Sequence, residues 1–185
     1  KSLLMIAAEK GFLELAQSLL ELNVDMRLKD RSGRTALFYA IEANNENVDV
    51  VSYLLDRGAD LNHEAQERAT PLLRAVERGY FEITKMLLEK GANLHTGFDG
   101  SGSLKVNNSQ LIEGFIGDTA LHIAVKRNDK RIINLLFEYG CDPNKKNKKK
   151  LTPREFCQNS NPELYQYLIN LSSSQKVIPP SFPMP

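Results

Sequence analysis

A few stretches of this 185-residue chain hold residue types that carry chemistry in other proteins. His63-Glu64-Ala65-Gln66-Glu67 has the first half of a metalloprotease helix, in which two histidines four apart grip zinc and the glutamate activates water. Glu67 stands where the second histidine belongs, and the stretch falls at a turn, so no metal is expected there. Gly97 and Gly102 have the spacing that opens a phosphate-cradling loop, but Ser103 replaces the lysine that would reach the phosphates. Gly100-Ser101-Gly102 likewise lacks the third glycine of a dinucleotide fingerprint. Cys141 and Cys157 have neither metal-ligand spacing nor a disulfide framework, which fits a reducing compartment. His122 is joined by no serine or aspartate motif that would complete a nucleophile-and-base set. The expectation is a chain that is not an enzyme, with no cofactor and no metal.

What recurs instead is a pair of short helices. Thr119 precedes Ala120-Leu121-His122-Ile123-Ala124-Val125, where its hydroxyl can accept a first-turn amide hydrogen. Leu121, Ala124 and Val125 return at helical spacing. After a polar break at Asn128-Asp129, Ile132, Ile133, Leu135 and Leu136 form a second buried stripe, which Gly140 ends. The same unit begins at Ser2, Thr35, Thr70 and Thr152, giving steps of 33, 35, 49 and 33. Pro71 and Pro153 occupy the first helical position, where a missing amide costs nothing.

Gly33-Arg34-Thr35-Ala36-Leu37, Thr70-Pro71-Leu72, Gly117-Asp118-Thr119-Ala120-Leu121-His122 and Leu54-Leu55-Asp56-Arg57-Gly58-Ala59-Asp60 carry a resemblance to the ankyrin repeat family, over residues 1 to about 171. The resemblance implies an all-α solenoid of stacked helix-turn-helix units with hairpin-like connecting loops. The units run 1–29, 30–64 and 65–95, then an insertion at 96–116, a fourth unit at 117–147, a degraded closing unit at 148–171 and a Pro/Ser-rich tail at 172–185. Arg68 and Lys150 replace the turn glycine, and Asn23 the helix-ending one, so these are the places where loop geometry is expected to depart. In this family the histidine of Thr-x-x-His bonds locally and ties neighbouring units. Its counterparts Met5, Phe38 and Leu73 mark the position of His122 as a packing site.

A 42% hydrophobic chain with net charge +1 can bury a core and has no global bias toward nucleic acid or membrane. The apolar run from Leu3 to Ala8 stops at Glu9-Lys10, too short to span a bilayer. The chain does not begin with methionine, so it reads as a portion of a longer protein. Leu3, Met5, Ile6 and Phe12 leave an apolar face that a further unit upstream would cover. The two extra residues in Asn44-Asn45-Glu46-Asn47 read as a tolerated surface insertion. The longer insertion joins a flexible half to one carrying Leu104, Val106, Leu111, Ile112, Phe115 and Ile116, and is either a loop or a finger touching a partner. In the tail, Ile178 and Phe182 are expected to lean on a neighbouring surface.

The resemblance implies recognition of another protein by a monomeric scaffold or targeting region in the cytoplasm or nucleus. The concave face would be lined by first-helix residues: Tyr39, Glu42, Arg74, Glu77, Arg78, Ile123, Lys126 and Arg127. Tyr39 with Arg74 and Arg78 would be the hot spot. The hairpin-tip lysines Lys145, Lys146, Lys148, Lys149 and Lys150 extend it. Residues 126–154 hold ten basic side chains against Asp129, Glu138 and Asp142, a balance of +7 that leaves −6 for the rest. An acidic protein partner fits that end, and a polyanion or nucleic acid is the alternative. A third reading comes from the same resemblance: the stretch from Leu54 through Asp60 to Asn62 is similar to ankyrin sequences in which an oxygenase hydroxylates the hairpin asparagine, which implies Asn62 as the acceptor. The richness in asparagine and lysine leaves open a secreted bacterial effector acting in host cytosol.

Overall fold

The computed structural model describes residues 1–97, 104–106, 110–112, 117–158 and 160–174. All five expected caps sit in extended backbone at the start of a helix: Ser2, Thr35, Thr70, Thr119 and Thr152. Ser2 Oγ accepts from the amide of Met5, and Thr70 Oγ1 from that of Leu73, both at 3.3 Å, satisfying first-turn donors. The five helices they open are α1 (Leu3–Lys10), α3 (Ala36–Glu42), α5 (Pro71–Arg78), α7 (Ala120–Lys126) and α9 (Pro153–Cys157). Each packs on the next, making an inner layer. A second layer stacks behind it, from α2 (Leu13–Glu21), α4 (Val48–Asp56), α6 (Phe81–Glu89) and α8 (Lys130–Glu138), and α10 (Pro162–Ser174) packs on α9. The class is all-α, as the pattern predicts.

The core is one seam rather than a set of separate cores. Leu54, Leu87 and Leu135, from three different units, belong to a single cluster of buried residues that runs from Leu4 to Leu168. Each unit is a two-helix slab whose apolar sides are covered by its neighbours. The first unit shows what an uncovered side looks like. Leu15 is 38% exposed, whereas its counterparts Val50, Ile83 and Ile132 are at 2%, 0% and 0%. Leu3, Ile6 and Phe12 are exposed with it, but Met5, expected in that face, is buried against the seam.

Several loops differ from the sequence reading. Arg68, Lys150 and Asn23 do not break the loop geometry; they adopt the left-handed conformation in place of glycine, with φ of 55°, 63° and 57°. Seam and hairpin hold them there at roughly 1–2 kcal/mol for each residue with a Cβ. The last helix runs through Ser174, so Ser172 and Ser173, read as the start of the tail, are helical. Within the long insertion β1 (Leu104–Val106) pairs antiparallel with β2 (Gln110–Ile112), Leu104 opposite Ile112. The expected packing of Phe115, Ile116, Ile178 and Phe182 lies outside the described residues, as do the side-chain surroundings of Leu104, Val106, Leu111 and Ile112.

The short insertion in the second unit does more than occupy surface. Glu46 Oε1 accepts from the amide of Ile83 at 3.2 Å, capping the first turn of α6 in the next unit. Asn47 reaches the other way, its Nδ2 donating to the carbonyl of Ala8 at the end of α1 at 3.3 Å. Glu46→Ala is expected to lower the unfolding free energy by about 1 kcal/mol, the usual worth of a lost cap. Asn45→Ala, at an exposed neighbour, should stay within about 0.5 kcal/mol in the same urea titration.

Candidate partner-binding face

The inner-helix face is held by charged straps that repeat with the units. Lys1 Nζ meets Glu9 Oε2 at 2.8 Å, Arg34 Nη1 meets Glu42 Oε2 at 3.0 Å, and Lys126 Nζ pairs with Asp118 Oδ2. In each case the residue just before the helix cap joins one eight positions later. Two turns of helix return to the same side after about seven residues, which brings the pair together. The third unit has Ala69 at the first position, so Glu77 takes Arg74 from its own helix at 2.7 Å. Arg74 also lies 3.3 Å from Glu42, and this links the second and third units into one ladder from Asp30 to Glu77.

The ladder is buried at its Glu77 end and partly buried at Asp30. Tyr39, 3% exposed, donates its hydroxyl to Asp30 at 2.8 Å and accepts from Arg34 at 3.0 Å. Burial alone would raise the Asp30 carboxyl, but the amides of Arg34 and Ser32, the Tyr39 hydroxyl and the Arg34 guanidinium bring it down to about 2. Burial also raises the Tyr39 phenol, helped by its bond to Asp30. Glu77 is pushed up by burial, with Arg74 opposing. In the fourth unit the strap has reversed sign and is deeper. Asp118 is fully buried, accepts from Asn147 Nδ2 at 2.8 Å, and faces a Lys126 whose pKa burial lowers. Lys126 also lies 4.6 Å above the Phe156 ring.

His122 behaves as the resemblance implied. Its Nδ1 lies 2.9 Å from Thr119 Oγ1 and accepts from the Thr119 amide at 3.2 Å, which leaves Nε2 to donate to the Leu151 carbonyl of the closing unit at 3.0 Å. Burial holds it below the ordinary histidine range, so it is neutral and structural. His63 Nε2 lies 2.7 Å from the Gly33 carbonyl, and its ring stands edge-on to Phe38. Among the described residues no group of three His, Cys, Asp or Glu could hold a metal.

The expected contact residues divide into two groups. Tyr39, Glu77 and Ile123 are inside the array, at 3%, 6% and 4% exposure, so they shape the face rather than present themselves on it. Lys126 is committed to Asp118, and Arg127 Nη1 donates to the Glu77 carbonyl at 2.6 Å, its guanidinium folded over Gly79. Arg78 caps the preceding helix in the same way, donating to the Glu42 carbonyl, but is exposed. Guanidinium groups at helix C-termini are favoured because the last carbonyls lack partners and the helix dipole is negative there. Glu42 and Arg74 are half-buried and, with Ser32, Arg34, Phe38, Ala65 and Gln66, line an open depression between the second and third units. Lys145, Lys146, Lys148, Lys149 and Lys150 are exposed. Asn62 is exposed at its tip, and its Oδ1 accepts from the amide of Asn93 at 2.8 Å.

The sequence reading missed Arg34, Asp118 and Asn147. Opposite charges eight apart, one of them immediately before three of the caps, were the available signal for Arg34 and Asp118.

A sequence profile for three copies of ankyrin repeats matches residues 4–97, and a single ankyrin repeat profile matches residues 116–148. The chain belongs to the ankyrin repeat family. It is similar to an L-asparaginase of Dirofilaria immitis, 31% identical over 95% of this chain and 32% of that protein. It is also similar to the ankyrin repeat and KH domain-containing protein mask of Drosophila melanogaster, 35% identical over 57% of the chain and 2% of that protein. A third is the B-cell lymphoma 3 protein homolog of Mus musculus, 30% identical over 71% and 25%. The chain thus spans a third or less of each of these relatives. Ankyrin arrays are protein-interaction modules and generally not enzymes, and no helix among the described residues is long and apolar enough to cross a membrane.

Because Asp118 is fully buried, Asp118→Ala should break its pair with Lys126 and its bond from Asn147, and cost about 3–5 kcal/mol in urea unfolding. Asp118→Leu combined with Lys126→Met, which removes both charges, should cost clearly less than the single change.

Proposed function

We propose that the array is the recognition region of a longer protein and docks an acidic segment of a protein partner along the inner-helix face and the lysine-bearing hairpin tip. The observation that carries this reading is the division of cations just described. Arg34 and Arg74 are fixed by carboxylates on the face, while Lys145, Lys146, Lys148, Lys149 and Lys150 stand exposed at one end beside it. Exposed like charge steers an oppositely charged partner, and guanidinium groups already held in place lose little freedom on binding. The relatives support the role of one region among others, since each is much longer than this chain.

Recognition of an extended polyanion draws less support, because Lys126 and Arg127, the cations that would continue the basic surface onto the helices, are engaged within the chain. Hydroxylation of Asn62 is compatible with its exposure and with binding of a partner elsewhere; an added oxygen mass on that residue would establish it.

The test is affinity capture from lysate on the immobilised chain against a variant with Arg78→Glu, Lys145→Glu and Lys146→Glu, all exposed positions. Partners retained by the unaltered chain should be lost from the variant at equal folded content. Identical recovery on both would contradict the reading.

A further inference from the structure

The tips of the third, fourth and closing units meet at a second depression. Its lining is Arg68, His95, Gly97, Gly117, Thr119, Lys145, Lys146, Asn147 and Lys148. Four of these are cationic side chains, one is an imidazole, and none is a carboxylate. Among the described residues, the nearby acids already have hydrogen-bond partners. Glu64 takes Arg68 through two bonds, at 3.1 and 3.2 Å, and so orients its guanidinium. Asp118 is buried with Lys126 and Asn147, and Asp142, beside His95 and Lys145 in the adjoining crevice, accepts from the amide of Asn144 at 2.8 Å.

The floor is built from backbone. A Cβ on Gly97 would sit 3.0 Å from the Gly117 carbonyl oxygen, and one on Gly117 would sit 2.9 Å from the Lys148 amide nitrogen. Gly117 also has φ of 86°, which a side chain resists. These glycines let three tips close up, and the closure gathers cations from residue 68 and residues 145–148 around one small hollow. Asn147 fixes the last tip: its amide donates to the Leu151 carbonyl at 3.0 Å, its Oδ1 accepts from the Leu151 amide at 3.1 Å, and its Nδ2 reaches buried Asp118. The lysine-bearing turn is therefore anchored in the core rather than loose.

We propose that this hollow binds the phosphate group of a phosphorylated serine or threonine in a segment of the protein partner; the idea rests on the reading above and names the chemistry recognised at its basic end. A phosphate monoester carries close to two charges and three acceptor oxygens, which a converging set of guanidinium, ammonium and imidazole donors matches better than it matches a carboxylate. A lipid headgroup fits less well. The large exposed apolar side chains among the described residues all lie between Leu3 and Leu28, so no described apolar group beside the hollow would enter a bilayer. Nucleic acid fits less well too, since among the described residues no aromatic ring lines the hollow to stack a base, and the chain outside residues 126–154 carries −6.

The experiment is fluorescence anisotropy with the whole chain and labelled degenerate peptides that hold a fixed phosphoserine, serine or glutamate. A short single-stranded oligonucleotide and phosphoinositide vesicles are the comparison probes. The phosphoserine pool should bind at least about tenfold more tightly than the glutamate pool. Lys145→Ala with Lys146→Ala should remove that advantage without moving the melting temperature, because both side chains are exposed. Equal binding of phosphoserine and glutamate pools would overturn the phosphate proposal while leaving an acidic-partner surface standing. Stronger binding of the oligonucleotide or the vesicles would also overturn it. No binding of any pool, together with lysate capture indifferent to the charge reversals, would remove both readings.

Discussion

The structure depends on one constraint: a two-helix slab of about 33 residues cannot cover its own apolar sides. Each unit is stable only where another lies against it, and the cost is visible at Leu15, which is exposed in the first unit and buried at the same position in every later one with a predecessor. Stacking buries the leucines of adjacent units in a common seam and leaves the inner-helix face open along its length. Stability and recognition therefore use different surfaces of the same helices.

Polar contacts between units follow from the stacking. The first three inner helices end with carbonyls that have no partner in the helix, and a side chain of the following unit reaches one in each: Asn47 to Ala8, Arg78 to Glu42, Arg127 to Glu77. His122 ties the fourth unit to the closing one through the Leu151 carbonyl, and Asn147 joins the hairpin tip to Asp118. The i to i+8 straps hold the face within the first, second and fourth units. Their reversal at Asp118 and Lys126 moves the acid into the core, while Lys145, Lys146, Lys148, Lys149 and Lys150 stay exposed on the hairpin tip. An acidic ligand would meet Arg34 and Arg74 already neutralised by carboxylates along the face and the lysines exposed at the end.

The fold was legible because its signals are local and repeated. Five Ser or Thr caps, two N1 prolines and glycines at helix ends each act within one turn, and their spacing alone set the register. The face was less legible. Tyr39 was placed on it by helical phase, but phase does not say that Asp30 and Arg34 from the hairpin close over the ring. Lys126 and Arg127 looked available because charge usually means solvent, whereas both turn inward to partners 8 and 50 residues away. Arg68 and Lys150 were read by type, and the seam overrode the preference of a side chain for negative φ. The double role of Glu46 and Asn47 depends on neighbours more than thirty residues away, which no local rule reports.

Native-state hydrogen exchange on Leu87→Ala tests the shared seam most directly. Leu87 is fully buried in α6, and the truncation should cost about 2–5 kcal/mol. If the units stand only through their neighbours, protection should fall by comparable amounts in α4 and α8 as well as in α6. Loss of protection confined to α6 and α5, with α4 and α8 unchanged, would show units stable by themselves and contradict the account.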